Sequence, residues 1–126
     1  MTRWFKLGEY VPNAIFVFGS NISGRHGAGA ARTALERFGA VYGQGIGLMG
    51  YSYGIPTKDR HLKVLDIIII ESYINDFIRF TFDNKDMTFQ VTSLGTGLAG
   101  YPHETIAPLF KRNKNCYFDE RWRPFL

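Results

Sequence analysis

Cysteine is almost missing from this chain of 126 residues: Cys116 stands alone, so no intrachain disulfide can form and no cysteine-based zinc site can be assembled. Histidine is scarce as well. His26, His61 and His103 stand without ligand spacing, so neither a metal site nor a cofactor is expected. Long apolar runs are lacking too: the run of residues 67–70, closed by Asp66 and Glu71, falls far short of the roughly 18 residues of a membrane span. The opening Met-Thr-Arg-Trp-Phe-Lys has neither the apolar stretch nor the small-residue cleavage site of a signal peptide, and the expectation is a cytoplasmic chain with no membrane partner. Repeats, linkers and low-complexity segments are also absent, which points to one compact domain over residues 1–126. Hydrophobic residues at 45% and charged residues at 21% argue against disorder and coiled coil.

The formal charge of +4 is a modest excess, compatible with an anionic partner such as a nucleotide. Much of it gathers late in the chain, at Lys111, Arg112, Lys114, Arg121 and Arg123. With the aromatic residues Tyr117, Phe118 and Trp122 nearby, this tail reads either as solvated surface charge or as a nucleic-acid-binding patch.

What the chain has in quantity is clustered glycine. Ten of its 14 glycines fall between Gly19 and Gly54, and three more are Gly95, Gly97 and Gly100. Glycine costs backbone entropy on folding, so such clusters mark positions of positive φ or places where a ligand approaches the backbone closely. An apolar run over residues 14–18 reads as a buried strand ending in the loop that starts at Gly19. A helix is predicted over residues 29–38, with Ala31, Ala34, Leu35 and Phe38 on one face and Gly39 as its stop. Strand, glycine loop and helix in that order aim the unpaired N–H groups of the helix at whatever the loop holds, and this favours phosphate.

Residues 40–54 read as a loop with a short strand, and Pro56 biases residues 53–56 towards extended chain. Ile67, Ile70, Ile74, Phe77 and Ile78 predict a helix from about Asp66, its N-cap, to residue 82, although the isoleucine-rich start also suits a strand. Residues 88–93 alternate as a strand and run into the second glycine cluster; a helix over 103–110 and a last strand over 116–118 follow. Alternating strands and helices predict an α/β layered domain.

Three familiar patterns match in letters only. The stretch from Gly19 to His26 has phosphate-loop spacing, but Arg25 replaces the lysine and His26 the magnesium-binding hydroxyl. Gly50-Tyr51-Ser52-Tyr53-Gly54 fits a nucleophile elbow, yet the extended chain after it is not the helix such an elbow needs. GxGxxG occurs at 45–50 and at 95–100, and only the second follows a convincing strand. The pairing of two strand-ending glycine loops is the stronger signal, because ligands of open α/β sheets bind outside the carboxyl ends of strands, where two such loops can flank one cleft.

These residues resemble the macrodomains, a family that binds ADP-ribose and in some members hydrolyses it from its attachment. Val17-Phe18-Gly19-Ser20-Asn21, followed by Ser23-Gly24-Arg25-His26-Gly27-Ala28-Gly29-Ala30-Ala31, resembles the family's asparagine-ending strand and glycine-rich loop. Gly95-Thr96-Gly97-Leu98-Ala99-Gly100-Tyr101-Pro102-His103-Glu104 is similar to its second phosphate loop. Ile55-Pro56-Thr57-Lys58 resembles the Pro-Thr-Lys element of the subgroup containing ADP-ribose 1''-phosphate phosphatases and enzymes that remove ADP-ribose from DNA bases. The resemblance covers residues 14–109. Two departures stand out: Asn13-Ala14 takes the place of an acidic residue that reads the adenine amino group, and Phe18 that of a second asparagine.

The resemblance implies a three-layer α/β/α domain with a mixed sheet, whose ligand is ADP-ribose or a related adenine nucleotide. An ADP-ribosylated macromolecule is the further partner implied for a hydrolytic member. By resemblance Asn21 contacts the distal ribose, with Gly19 and Ser20 before it. The loop of Gly24, Arg25, Gly27, Ala28, Gly29 and Ala30 holds one phosphate, and the run Gly95, Thr96, Gly97, Leu98, Ala99 and Gly100 the other. Pro56 and Thr57 lead to Lys58, whose cation would stabilise charge at the distal ribose. His26 is the candidate general acid or base, or else a phosphate ligand or solvent-exposed. Tyr101 is a candidate stacking residue, or else a core or rim aromatic. The family implies either hydrolysis of an ADP-ribosyl bond or 1''-phosphate ester, or noncatalytic binding of the nucleotide. The chain is short for the family, so trimmed edge strands could be covered by oligomerisation.

Overall fold

In the computed structural model, which describes residues 2–110 and 112–126, strand β2 (Ile15–Asn21) is central to the molecule. Its side chains divide by parity: Ile15 and Val17 enter one hydrophobic cluster, and Phe16 and Phe18 enter another. This is the two-residue period of a strand, and a strand apolar on both faces needs a covering layer on each. Helix α1 (Gly29–Arg37) covers the face of Phe16 and Phe18 with Ala31 and Ala34, whose small side chains bring it close to these rings. It stops where expected, at Phe38, and Gly39 follows with φ of +77°.

Helix α2 (Ile67–Asp83) covers the opposite face. Ile70, Ile74 and Phe77, at helical spacing, pack in one cluster with Tyr53, Ile55, Phe89 and Val91 from the sheet. The isoleucine-rich start is helix, not strand, because this period places one full stripe against the sheet. Asp66 sits at the N-cap, but its side chain makes no capping bond; its backbone carbonyl accepts from Ile69 and Ile70.

The remaining strands are β1 (Arg3–Phe5), β3 (Gly47–Met49), β4 (Ser52–Lys58), β5 (Phe89–Val91) and β6 (Cys116–Asp119). They form one sheet of six strands with β2, in the order β1-β6-β5-β2-β4-β3, and every neighbouring pair is parallel except β3 with β4. The carboxyl ends of five strands therefore share one edge. The helix expected over residues 103–110 is shorter: α3 (His103–Ile106) passes into a 3₁₀ turn (Ala107–Leu109), since Pro108 has no N–H to continue an α-helical ladder. Among the described residues no helix is long and apolar enough to cross a membrane.

The basic residues Arg112, Lys114, Arg121 and Arg123 of the tail are exposed, but two of its three aromatic rings are not at the surface. Phe118 and Trp122 are fully buried in the core, and the Trp122 Nε1–H donates to His103 Nδ1 at 2.9 Å, so neither ring is free to stack on a base. Arg112 donates to the Leu126 carbonyl, and Arg123 lies over the Trp4 ring. Lys111 lies outside the described residues.

Candidate functional site

A cleft of ≈ 890 Å³ opens along the shared carboxyl edge of the sheet. Of the residues singled out from sequence, Gly19, Ser20, Asn21, Arg25, Gly27, Ala28, Gly29, Ala30, Thr57, Lys58, Gly95, Gly97, Leu98 and Ala99 line it. Gly24, His26, Pro56, Thr96, Gly100 and Tyr101 do not. The two glycine loops meet at the floor, where a Cβ on Gly19 would lie 3.3 Å from Leu94 Cβ and 3.5 Å from the Gly95 nitrogen.

Asn21 braces the first loop. Its Oδ1 accepts from the Arg25 N–H at 2.9 Å and from the Ser23 hydroxyl at 2.8 Å, while its Nδ2 donates to the Arg25 carbonyl at 2.8 Å. Both acceptor sites of the carboxamide oxygen are thus occupied, and one Nδ2 hydrogen remains for a ligand.

His26 is not brought to the cleft, which corrects its reading as acid, base or phosphate ligand. Its side chain is 1% exposed, lies edge-on to Phe18 and offers Nε2 to the carbonyls of Val41 at 2.9 Å and Gln44 at 2.8 Å. An apolar strand lies below it and two carbonyls lie beside it, so the imidazole straps the loop to residues 41–44. Tyr101 is likewise structural: its hydroxyl donates to the Leu65 carbonyl at 2.7 Å, and its ring packs against the core. Pro56 is buried within β4, and the Thr96 hydroxyl turns back to the Ser93 carbonyl. Ser52, of the elbow-like pattern, is buried and donates to the Met49 carbonyl.

The glycines separate by what a side chain would meet. At Gly24 a Cβ would lie 2.3 Å from the Gln44 nitrogen, and at Gly45 it would lie 2.0 Å from the Asn21 carbonyl oxygen, so these two exist to let backbones touch. Gly27 and Gly97 differ: neither adopts a positive φ, and a Cβ at either would meet nothing within 4 Å. Both line the cleft, and the fold itself gives neither a reason to be glycine.

Helix α1 begins at the cleft wall without a side-chain cap and with no acidic residue in its first turn. Its first N–H groups are therefore unpaired towards the cavity, where the positive end of the helix dipole favours an anion. Lys58 stands at the end of β4 in the same wall, and its ammonium group has no hydrogen-bond or ion-pair partner among the described residues. Beyond it, Asp59 Oδ1 accepts from the backbone N–H groups of His61 and Lys63, folding a tight loop that turns Leu62, at φ of 62°, towards the cleft. Those backbone hydrogen bonds, led by that of Lys63, hold the Asp59 carboxyl below its ordinary value.

Compared with known proteins, the chain matches no family model, no curated sequence and no solved structure.

The other end of the cleft carries residues that sequence reasoning missed. β1 pairs with β6 so that Phe5 lies beside Asp119, and the segment leaving β1 carries Leu7, Gly8, Glu9 and Tyr10 along the cavity. The buried Gln90 of β5 ties this segment down, donating to the Glu9 carbonyl and accepting from the Val11 N–H, both at 2.8 Å. Glu9 Oε1 accepts from the Lys6 N–H, which leaves Oε2 for a ligand. An acidic residue therefore does line the cleft ahead of β2, at position 9 instead of 13–14.

At the end of β6, Asp119 is 2% exposed and grips Arg121: Oδ1 accepts from Nε at 3.0 Å and Oδ2 from Nη2 at 2.7 Å, while Nη2 also donates to Ser93 Oγ at 2.9 Å. Burial alone would raise the Asp119 carboxyl, but the hydrogen bonds and charge of Arg121, helped by Ser93, outweigh it and hold the group below its ordinary value. The hydrogen bond to Asp119 correspondingly raises Arg121. One signal could have found this pair: residues 116–118 were read as a strand, and the carboxyl ends of parallel strands border the site.

Proposed function

We propose that this is a macrodomain-like domain that binds ADP-ribose or a closely related adenine nucleotide in the cleft. The observation that carries the reading is the pair Gly27 and Gly97, glycines without a conformational or packing requirement that face the same cavity from two loops. Backbone that must come within hydrogen-bond reach of phosphate needs this bareness. The uncapped start of α1 supplies donors for one phosphate, and the turn from Gly95 to Gly97 lies where the second would rest. From Arg121 beyond β6 to Lys58 on β4 the cleft crosses three strand spacings, about 14 Å, which suits an elongated ligand with a group at either end of a diphosphate. The free oxygen of Glu9 suits an exocyclic amine at the Arg121 end.

Calorimetric titration with ADP-ribose, AMP and a short oligonucleotide tests the reading. Micromolar affinity for ADP-ribose, roughly tenfold or more weaker binding of AMP, which fills one loop only, and none for the oligonucleotide are expected. No heat with ADP-ribose overturns it.

Hydrolysis of an ADP-ribosyl bond or a 1''-phosphate ester is a second reading, supported by Lys58, whose unpaired cation lines the cleft and would stabilise charge developing on a distal ribose bound beside it. Chromatography of incubated ADP-ribosylated substrates decides it. Lys58→Ala should lower turnover by about 100-fold while nucleotide affinity stays measurable. A wild-type chain that binds yet releases no product leaves binding alone.

A further inference from the structure

Among the described residues the sheet ends on β3, whose outer side pairs with no further strand. β3 turns into β4 through the two-residue connection Gly50-Tyr51, with φ of +57° at Gly50. In such a hairpin Met49 and Ser52, next to the turn, form the hydrogen-bonded pair. Leu48, opposite Tyr53, is then a non-hydrogen-bonded position and turns its own N–H and C=O away from β4. The carbonyls of Leu48 and Ile46 both accept from the exposed Gln44 Nε2, at 3.4 Å and 3.2 Å. One carboxamide thus stands, at long range, where the N–H groups of another strand would stand.

The edge that such a strand would meet carries no charge. Residues 38–57 include no Asp, Glu, Lys, Arg or His, although charged residues make up 21% of the chain. Free edges are ordinarily guarded by charges. The opposite edge, β1, carries Arg3 and is followed by Lys6, whereas along β3 the exposed side chains are Ile46, Leu48 and Tyr51, at 45%, 40% and 61%. A two-fold contact sets a surface against itself, so any charge on it meets its like; on a chain of charge +4 this edge brings none.

We propose that the β3 edge is the docking surface for a second copy of this chain, through antiparallel pairing of β3 with β3 about a two-fold axis at Leu48. Leu48 of each copy exchanges both N–H and C=O bonds with Leu48 of the other, and Ile46 falls opposite Gly50, displacing the Gln44 carboxamide. The pairing uses up the free β3 edge of both copies, so the assembly closes at two. No residue of β3 lines the cleft, and the reversal of strand direction points the two clefts in opposite directions. The proposal therefore goes beyond the nucleotide reading and does not depend on it.

Analytical ultracentrifugation of the full chain tests it, on wild type, Leu48→Lys and Ile68→Lys, with hydrogen exchange of the wild type at two concentrations. At about 500 μM the wild type should sediment as a dimer and Leu48→Lys as a folded monomer, because two lysines would face each other across the axis. Ile68→Lys, at a position 76% exposed on α2, should stay dimeric. Exchange over residues 46–48 should slow several-fold between about 5 μM and about 500 μM. Should Leu48→Lys fail to fold, this concentration dependence decides by itself. A monomeric wild type, an open series of larger species, a Leu48→Lys dimer, an Ile68→Lys monomer or exchange indifferent to concentration overturns the proposal.

Discussion

Gly27 and Gly45 are the same residue type doing opposite work, and a single methyl group separates them. Gly45→Ala would drive Cβ to 2.0 Å from the Asn21 carbonyl oxygen, so the strand and loop must part. A thermal melt should show it destabilised by roughly 3 kcal/mol or more. Gly97→Val meets open space and ordinary φ, so its melting curve should overlay that of wild type while calorimetry shows ADP-ribose affinity abolished. A Gly97→Val chain that binds normally would show that the backbone there touches no ligand. His26→Ala removes the donor shared by two carbonyls and leaves a void beside Phe18, which should cost about 2–3 kcal/mol. These outcomes were only half legible in the sequence: glycine density marked the region, but whether a given glycine faces a backbone, a turn or a cavity depends on chain segments 20 residues or more away, as with Gly24 and Gln44.

At the scale of an element, helix α1 forgoes a stability gain at its start. Ala28 occupies the N-cap in extended conformation, φ −152° and ψ 161°, with nothing to accept the first N–H groups. Ala28→Asp should raise stability by about 1 kcal/mol by capping them, and the same carboxylate should lower affinity for ADP-ribose tenfold or more by occupying and repelling the phosphate position. Denaturant titration and calorimetry on one protein read both signs; a rise in stability with unchanged affinity would remove α1 from the site. The helix itself was legible, because its apolar period and Gly39 are local signals. β1 was not: three residues, Arg3 to Phe5, carry too short a pattern, and they become a strand only by pairing with β6.

For the whole molecule, the buried Asp119, paired with Arg121, links stability to acidity. The folded Asp119 titrates below its ordinary value of 3.8, so it binds a proton less readily folded than unfolded. Its contribution is complete above that ordinary value and is lost as pH falls through the lowered one. Urea midpoints measured from about pH 5 down to about pH 2 should fall more steeply for wild type than for Asp119→Asn. Parallel slopes would mean that the pair gives no net stability. Cys116 behaves in the opposite sense, since burial pushes its thiol up to about 12. Alkylation at mildly alkaline pH should therefore be blocked in the folded chain and rapid in urea.

Local pattern was enough to determine the order of strands and helices from β2 onward, the two glycine loops and the α/β class, because periodicity, stops and turn residues act over a few neighbours. Tertiary structure alone decided which of those residues share a cavity. His26 sits within the first loop yet is turned to the carbonyls of residues 41 and 44, whereas Glu9, Gln90, Asp119 and Arg121, far apart in the chain, meet at one end of the cleft. The reason is that strands β1, β6, β5 and β2 lie side by side although their sequence order is 1, 6, 5, 2, and only the register of that sheet brings their ends together.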